Sequence, residues 1–314
     1  MTVDGDVSAM KSFRHTAKRR LAPLAVNLLL GLSAMLPLNG ARALGRLLGR
    51  IAWWSNSKWR RIAERNIALA YPQLNPEQSQ ALVRDVLSEA GMLVFEMGHV
   101  WRKPWRETQQ YILEVEGESL VHDAKAAGRG VIVLGPHVGN WEVLGLHLST
   151  LGDLVALFEP PRIDSLEPLI REARERAGGT LVPTTPRGLA RLVRNVREGG
   201  ISGILPDQVP DDLNGGADAL FMGHAAFSAT LAPNLIKRSG AVALTGAAYR
   251  IPGGFKVCYR PVSNHVYDDD LEVAVTAVNQ EVEKVIADWG GQYMWQYKRF
   301  RSPTPGAVDH YRDL

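Results

Sequence analysis

Short apolar runs bounded by glycine, proline or charged residues recur along the middle and end of the chain. The first, residues 130–136, reads GVIVLGP, as expected of a strand that is buried on both faces of a parallel sheet. Similar runs cover residues 154–158, 180–183, 201–205, 242–249 and 255–259, and helical segments over residues 165–177 and 186–198 lie between several of them. Strands that alternate with helices predict an α/β fold with a largely parallel central sheet flanked by helices.

A longer apolar run lies near the N-terminus. Residues 21–38 read LAPLAVNLLLGLSAMLPL, follow a basic segment, and are close in length to a membrane-spanning helix. Apolar residues continue to Trp53 and Trp54, which favours a retained membrane anchor over a cleaved signal peptide. Pro23 and Pro37 leave open whether this segment spans the membrane or lies at its surface. We therefore predict a membrane-anchoring helical segment in residues 1–54 and one α/β domain in residues 55–314.

Composition narrows the class of protein further. Lys and Arg number 36 against 33 Asp and Glu, and no nucleic-acid-binding motif is present, so a nucleic-acid partner is not expected. The single cysteine, Cys258, excludes an intramolecular disulfide, and its place in a strand-like run predicts a buried structural residue.

The segment from Pro136 to Glu142 is the strongest candidate for chemistry. His137 follows the first apolar run, and Glu142 begins the helix predicted over residues 142–151. A carboxylate that binds one ring nitrogen of His137 would leave the other nitrogen free to accept a proton from a hydroxyl. Gly139 and Asn140, at the start of the helix, are candidates to donate hydrogen bonds to an anion or a developing oxyanion.

A metal site is the competing interpretation of this histidine. Zinc needs three or four ligands, and no histidine pair with metal-binding spacing lies nearby. The scattered His147 and His224 leave that alternative open.

The residues of this segment resemble the His-x-x-x-x-Asp/Glu signature of glycerolipid acyltransferases, in the form typical of the bacterial lipid A late (lauroyl/myristoyl) acyltransferases. The resemblance covers nearly the whole chain, because further blocks follow in the order of the family. These blocks lie at residues 61–67, 71–72, 158–162, 174–178, 206–208, 221–223, 226–228, 241–250, 293–295 and 298–300.

The resemblance implies that residues 55–314 are an acyltransferase domain on the cytoplasmic side of the cell inner membrane. It implies transfer of a fatty acyl chain from acyl carrier protein to a hydroxyl of a Kdo-bearing lipid A precursor, in contact with inner membrane lipids. His137 would be the general base and Glu142 its charge partner. No metal or organic cofactor is implied.

Two positions depart from the pattern of the family. Glu159 stands where a cation is common, and Tyr297 stands where a histidine is frequent. Arg162 is therefore a candidate for binding an anionic part of the substrate.

Other polar residues are also candidates for the site. Asp207 follows residues 201–205, a strand-end position like that of His137, and either lines the site or caps a turn. Arg187, Arg191 and Arg194 share a helical face which, together with Arg171 and Arg174, is a candidate surface for anionic headgroups or the acidic carrier protein.

The sequence leaves other functions open. Within the same class, the acceptor would be another lipid hydroxyl, such as a lysophospholipid or a glycolipid, with acyl-CoA as a possible donor. If the protein is not an enzyme, the alternative function is a membrane scaffold without catalytic activity.

Overall fold

The computed structural model describes residues 23–161, 163–304 and 306–314. Its central sheet has the strand order β1-β9-β8-β2-β5, where numbering follows the chain. The strands are β1 (Ile112–Glu116), β2 (Val131–Leu134), β5 (Ile201–Ile204), β8 (Val242–Ile251) and β9 (Gly254–Pro261). Strand β2 is parallel to both of its neighbours, whereas β8 and β9 are antiparallel. The predicted α/β fold with a largely parallel sheet is confirmed.

Two further strand pairs complete the sheet structure. The parallel pair β3 (Val155–Phe158) and β4 (Thr180–Pro183) joins the edge of the central sheet through a bridge from Leu154 to Ile201. The antiparallel hairpin β6 (Gly216–Phe221) and β7 (His224–Ala229) was not predicted from the apolar runs.

Helices cover both faces of the central sheet, and alternate side chains of β2 pack on opposite sides, as strand geometry requires. Val131 and Val133 belong to a core with α4 (Pro76–Arg102), α6 (Ser119–Ala126) and α7 (Trp141–Leu151). Ile132 and Leu134 belong to a second core with α9 (Pro186–Arg197), α10 (Leu231–Ser239) and α11 (Leu271–Asp288). Three other helices are α3 (Lys58–Ala70), α5 (Trp105–Thr108) and α8 (Glu167–Glu175).

The N-terminal apolar run forms two helices rather than one. Helix α1, whose described part covers residues 23–35, is separated by Leu36 and Pro37 from α2 (Leu38–Trp54). Among the described residues, no helix is long and apolar enough to cross a membrane. The predicted membrane anchor is therefore not supported as a spanning helix, and the part of that prediction in residues 1–22 lies outside the described residues.

Helix α2 packs closely on α4. A Cβ atom added to Gly91 of α4 would lie 2.1 Å from the carbonyl oxygen of Gly45 in α2, so only glycine permits this approach. The guanidinium Nε of Arg42 donates a hydrogen bond of 2.7 Å to the buried Glu96 of α4. Arg42 also donates to the carbonyl oxygens of Ile251 and Gly254, which ties α2 to the turn between β8 and β9.

Candidate active site

Two neighbouring strands bring the central residues of the site together. Strands β2 and β5 are parallel partners, so the loops that follow them leave the sheet at the same edge. His137 follows β2 and Asp207 follows β5, and the Nδ1–H of His137 donates a hydrogen bond of 2.8 Å to Oδ1 of Asp207. The backbone N–H of His137 donates to Oδ2 of the same carboxylate at 3.0 Å. Asp207 thereby fixes both the orientation and the tautomer of the imidazole.

Asp207 is buried as a carboxylate. Burial raises its pKa, but the charge of His137 and the hydrogen bonds from its ring and backbone outweigh burial, so the pKa of Asp207 lies below its usual value. The other ring nitrogen, Nε2, accepts a hydrogen bond of 3.2 Å from the side-chain amide of Gln208, which is exposed. The ring of Trp141 meets the imidazole edge-on, with 4.7 Å between the ring centroids. The imidazole therefore presents Nε2 towards the protein surface.

Glu142 has a different partner from the one that the sequence predicts. Its two oxygens accept hydrogen bonds of 2.9 Å and 2.6 Å from Nε and Nη2 of Arg174 in α8, a bidentate ion pair. Burial raises the pKa of Glu142, but the charge and hydrogen bonds of Arg174 lower it by a larger amount. The pKa of Glu142 therefore lies below its usual value. The expected hydrogen bond between Glu142 and His137 is thus wrong, because Asp207 holds the nitrogen that Glu142 was expected to bind.

The loop between His137 and α7 is held by the backbone on both sides. Gly139 has a φ of +61°, and a Cβ atom there would lie 2.1 Å from the carbonyl oxygen of Ala248. Its N–H donates to the carbonyl of Gln292, and the N–H of Asn140 donates to Ala248. The Asn140 side chain caps α7 through the N–H of Val143 and donates to Glu96. These donors are engaged within the protein, so Gly139 and Asn140 shape the loop rather than offering the expected oxyanion contacts.

The other predicted site residues do not contact this pair where the structure describes them. Arg162 lies outside the described residues. Arg171 faces Glu167 and Glu175 of its own helix, whereas Arg187, Arg191 and Arg194 are exposed along one side of α9. Tyr297 holds the loop after Asp207, because its hydroxyl accepts a hydrogen bond of 3.0 Å from the N–H of Val209.

The remaining candidates have structural partners. Cys258 is buried in β9, and burial raises the pKa of its thiol to about 11, as expected of a structural residue. His147 bonds the hydroxyl of Tyr259, and His224 bonds the carbonyl of Leu69. Within the described residues, no three His, Cys, Asp or Glu side chains are arranged to hold a metal ion.

An apolar cavity lies beside the His137–Asp207 pair. Its volume is about 110 Å³, and it runs between α7 and strands β2, β3 and β5, with Trp141, Glu142 and Arg174 among its lining residues. Leu144, Leu148, Leu157 and Ile204 make most of its wall hydrocarbon. We refer to it as the apolar cavity.

A second, smaller space touches His137 directly. We call it the His137 opening; its volume is only about 10 Å³, and Trp141 lines both this opening and the apolar cavity. The imidazole therefore borders the His137 opening, and Trp141 is the residue that this opening shares with the apolar cavity.

Sequence reasoning identified the histidine and both carboxylates but not their pairing. The only available signal was that His137 and Asp207 each follow a buried strand-like run. That signal indicates a shared sheet edge, but not which strands are neighbours. Gln208 gave no sign of its contact with His137.

Comparison of the sequence with known proteins gives the family of the chain. The sequence model of the bacterial lipid A biosynthesis acyltransferase family matches residues 9–302. The lipid A biosynthesis lauroyltransferase of Escherichia coli K12 is 25% identical over 90% of this chain and 92% of its own length. The palmitoleoyltransferase of the same strain is 25% identical over 85% and 87% of the two chains, and its myristoyltransferase is 24% identical over 96% and 93%.

The protein is thus an acyltransferase enzyme, as the sequence predicts. The chain belongs to the bacterial lipid A biosynthesis acyltransferase family, whose sequence model covers most of its length.

Proposed function

We propose that this enzyme transfers a fatty acyl chain from acyl carrier protein to a hydroxyl of a Kdo-bearing lipid A precursor, with His137 as the general base and Asp207 as its charge partner. The observation that carries the proposal is the hydrogen-bonded His137–Asp207 pair at the sheet edge. The names of the relatives support the lipid A acceptor.

The reaction needs a base, a carboxylate and a leaving thiol. Nε2 of His137 takes the proton of the acceptor hydroxyl while the hydroxyl oxygen attacks the thioester carbon. Asp207 stabilises the imidazolium that results. The C–S bond then breaks, and the carrier thiol leaves with the proton that His137 returns. The acceptor hydroxyl replaces Gln208 at Nε2, because both groups bind the same lone pair.

The apolar cavity supports a place for the donor chain. A fatty acyl tail is a hydrocarbon, and burying it in a hydrocarbon-lined space is favourable at about 0.8 kcal/mol per methylene. Trp141 lines the cavity and its ring contacts the imidazole, so a chain in the cavity would have its thioester end near the imidazole. The Glu142–Arg174 pair then closes the polar side of the cavity and does not exchange a proton with the substrate.

The location at the inner membrane rests on exposed apolar side chains of the first two helices. Leu24, Leu28, Leu32 and Met35 of α1 recur every three or four residues and are exposed, as on one face of a helix. The same holds for four side chains of α2, namely Leu44, Leu47, Ile51 and Trp54. Two such apolar faces support the proposal that α1 and α2 lie in the surface of the inner membrane, on the same side as the catalytic domain.

The test uses purified enzyme, acyl carrier protein loaded with a fatty acid, and the lipid A precursor, with the product identified by mass spectrometry. We expect His137→Ala to lower kcat by about 10²- to 10⁴-fold, the range of general base catalysis. Asp207→Asn should lower kcat comparably, because the amide removes the charge that stabilises the imidazolium. The control is His122→Ala, since His122 is an exposed histidine of α6 paired only with Glu118.

Three results separate the alternatives. Transfer at the wild-type rate by His137→Ala would contradict the base, and wild-type activity of Asp207→Asn would contradict its partner. Acylation of a lysophospholipid or glycolipid in place of the lipid A precursor would contradict the proposed acceptor.

A further inference from the structure

We propose that a polar pocket next to the His137 opening binds the phosphorylated sugar headgroup of the acceptor through Arg46 and Arg250, two of the arginines in its lining. This inference rests on the proposed function, because it assigns a part of the same acceptor to a second place on the protein. We call this space the polar pocket. Its volume is about 530 Å³, and it lies between α2, α4, the β8–β9 turn and residues 289–292.

Arg250 is a buried cation whose guanidinium is held by two carboxylates and has one nitrogen without a hydrogen-bond partner. Its residue is 6% exposed, and its Nε and Nη1 donate to Glu96 at 2.8 Å and to Glu89 at 3.1 Å. Its Nη2 is buried and has no hydrogen-bond partner in the described structure. A buried N–H without a partner costs free energy, so an anionic oxygen that reaches it would gain a strong hydrogen bond.

The lining of the polar pocket combines groups that suit a phosphorylated sugar. Arg46 is an exposed cation at its rim, where its closest hydrogen-bond contact is the Sδ of Met92 at 3.5 Å. Asp85 and Glu89 add carboxylates, which accept hydrogen bonds from sugar hydroxyls. Guanidinium groups match the geometry of phosphate oxygens.

The polar pocket adjoins the reacting centre. Glu89, Arg250 and Gln292 line both the polar pocket and the His137 opening. In a 3-hydroxyacyl chain, the reacting hydroxyl lies only a few bonds from the sugar to which that chain is attached. A headgroup in the polar pocket would therefore place this hydroxyl close to Nε2 of His137.

A third space has the chemistry expected for the hydrocarbon of the same acceptor. An apolar groove of about 340 Å³ runs between α2, α4 and the C-terminal segment, with Leu48, Trp59 and Val94 in its wall. Leu93 and Met294 line both this apolar groove and the His137 opening. The polar pocket and the apolar groove thus meet at His137, as the head and tail of one lipid would require.

The test compares Arg46→Ala and Arg46→Glu with Arg50→Ala, a matched control. Arg50 is an exposed arginine one turn further along α2, outside the lining of the polar pocket. Each protein is assayed with the phosphorylated lipid A precursor and with the same lipid after its phosphates have been removed. We expect Arg46→Ala to raise KM for the phosphorylated acceptor about tenfold, the effect of losing one charge-assisted contact, and Arg46→Glu to raise it further. The dephosphorylated acceptor should show no added loss, and kcat, the donor KM and Arg50→Ala should stay at wild-type values.

The outcomes separate this proposal from the proposed function. If the wild type acylates the precursor but the Arg46 variants keep its KM, the polar pocket does not bind the headgroup, while the function stands. A rise in KM that is equal for both acceptors would exclude phosphate recognition. A rise in the donor KM instead would assign the polar pocket to the phosphopantetheine arm of the donor and overturn the proposal. If the wild type acylates neither acceptor, the proposed function itself fails, and this proposal fails with it.

Discussion

Asp207 and Glu142 are both buried carboxylates of the candidate active site, yet each binds a different partner. Asp207 accepts one hydrogen bond from the imidazole and one from the backbone N–H of His137, whereas Glu142 accepts two from the guanidinium of Arg174. From the sequence alone, Glu142 is the more obvious partner for His137, because it lies five positions after the histidine. Separation along the sequence is a poor guide to contact here. Helix α7 places Glu142 next to Arg174 of α8, whereas the loop after β5 places Asp207 next to the imidazole ring.

The Glu142–Arg174 pair is expected to behave as a unit. Glu142→Gln and Arg174→Gln should each lower the free energy of unfolding by about 1–3 kcal/mol at pH 7, because each leaves a charged partner without its counterpart. The Arg174 side chain is 36% exposed, so its loss should fall at the lower end. The double variant should be closer to the wild type than the sum of the single variants, as measured by chemical denaturation. Strict additivity would contradict the coupling.

The same pair predicts a dependence on pH. The pKa of Glu142 is lowered in the folded protein, so its contribution to stability is complete above the pKa of the unfolded chain and is lost as pH falls through the folded pKa. The Tm of the wild type should therefore fall as the pH is lowered below about 4.5. The double variant should lack this part of the drop, since it has no ionisable group at either position.

At the scale of elements, α9 begins at the catalytic edge of the sheet and carries exposed basic side chains along its length. The helix begins at Pro186, directly after β4, and β4 belongs to the parallel strands that end at the same edge as β2. We expect Arg187→Glu/Arg191→Glu/Arg194→Glu to raise KM for the acidic carrier protein donor about tenfold at low salt, and less at high salt. Steady-state kinetics with acyl-pantetheine, which lacks the carrier, should be unchanged.

A charge reversal at two positions elsewhere controls for a non-specific effect of net charge. Arg106→Glu/Arg312→Glu alters two exposed arginines of other segments and should leave both donors unaffected. An equal rise in KM with acyl-pantetheine would show that α9 does not recognise the carrier.

The apolar side of α2 makes a separate prediction about membrane binding. Leu47→Glu/Ile51→Glu replaces two exposed apolar side chains, and we expect it to weaken binding to anionic phospholipid vesicles at least about tenfold, as judged by sedimentation. The control is Leu271→Glu/Val273→Glu, which alters two exposed apolar side chains of α11. Equal losses in both variants would mean that α2 is not a specific membrane contact.

At the scale of the whole molecule, the sequence predicts more of the fold than of the site. Each short apolar run in the middle and end of the chain forms a strand, because short runs bounded by glycine, proline or charged residues have few other solutions, whereas the longer N-terminal run forms helices. The hairpin of β6 and β7 escaped prediction, since its residues GADALF and HAAFSA are mostly small and lack a clear alternation. The site depends on the order of strands in the sheet, and no local pattern encodes that β2 lies next to β5. The division between residues 54 and 55 stays a prediction.

Buried charges also connect parts of the chain that are remote in sequence. Glu96 binds Arg42 of α2, Arg250 of β8 and Asn140 of the catalytic loop. The residue is fully buried, so the two cations and the amide compensate for its loss of water.

The contact between Arg42 and Glu96 bears on how a shortened enzyme is prepared for crystallisation. Deleting everything before residue 55 would strip one cation from Glu96 and uncover the glycine-rich side of α4. Cutting in front of Leu38 would discard the exposed leucines of α1 and keep the Arg42–Glu96 and Gly45–Gly91 contacts, but it would also remove Leu30 and Ser33, which are buried against Gly98 of α4. Both hydrophobic helices therefore pack on α4, and α2 is the one whose arginine shares Glu96 with the loop beside Asn140.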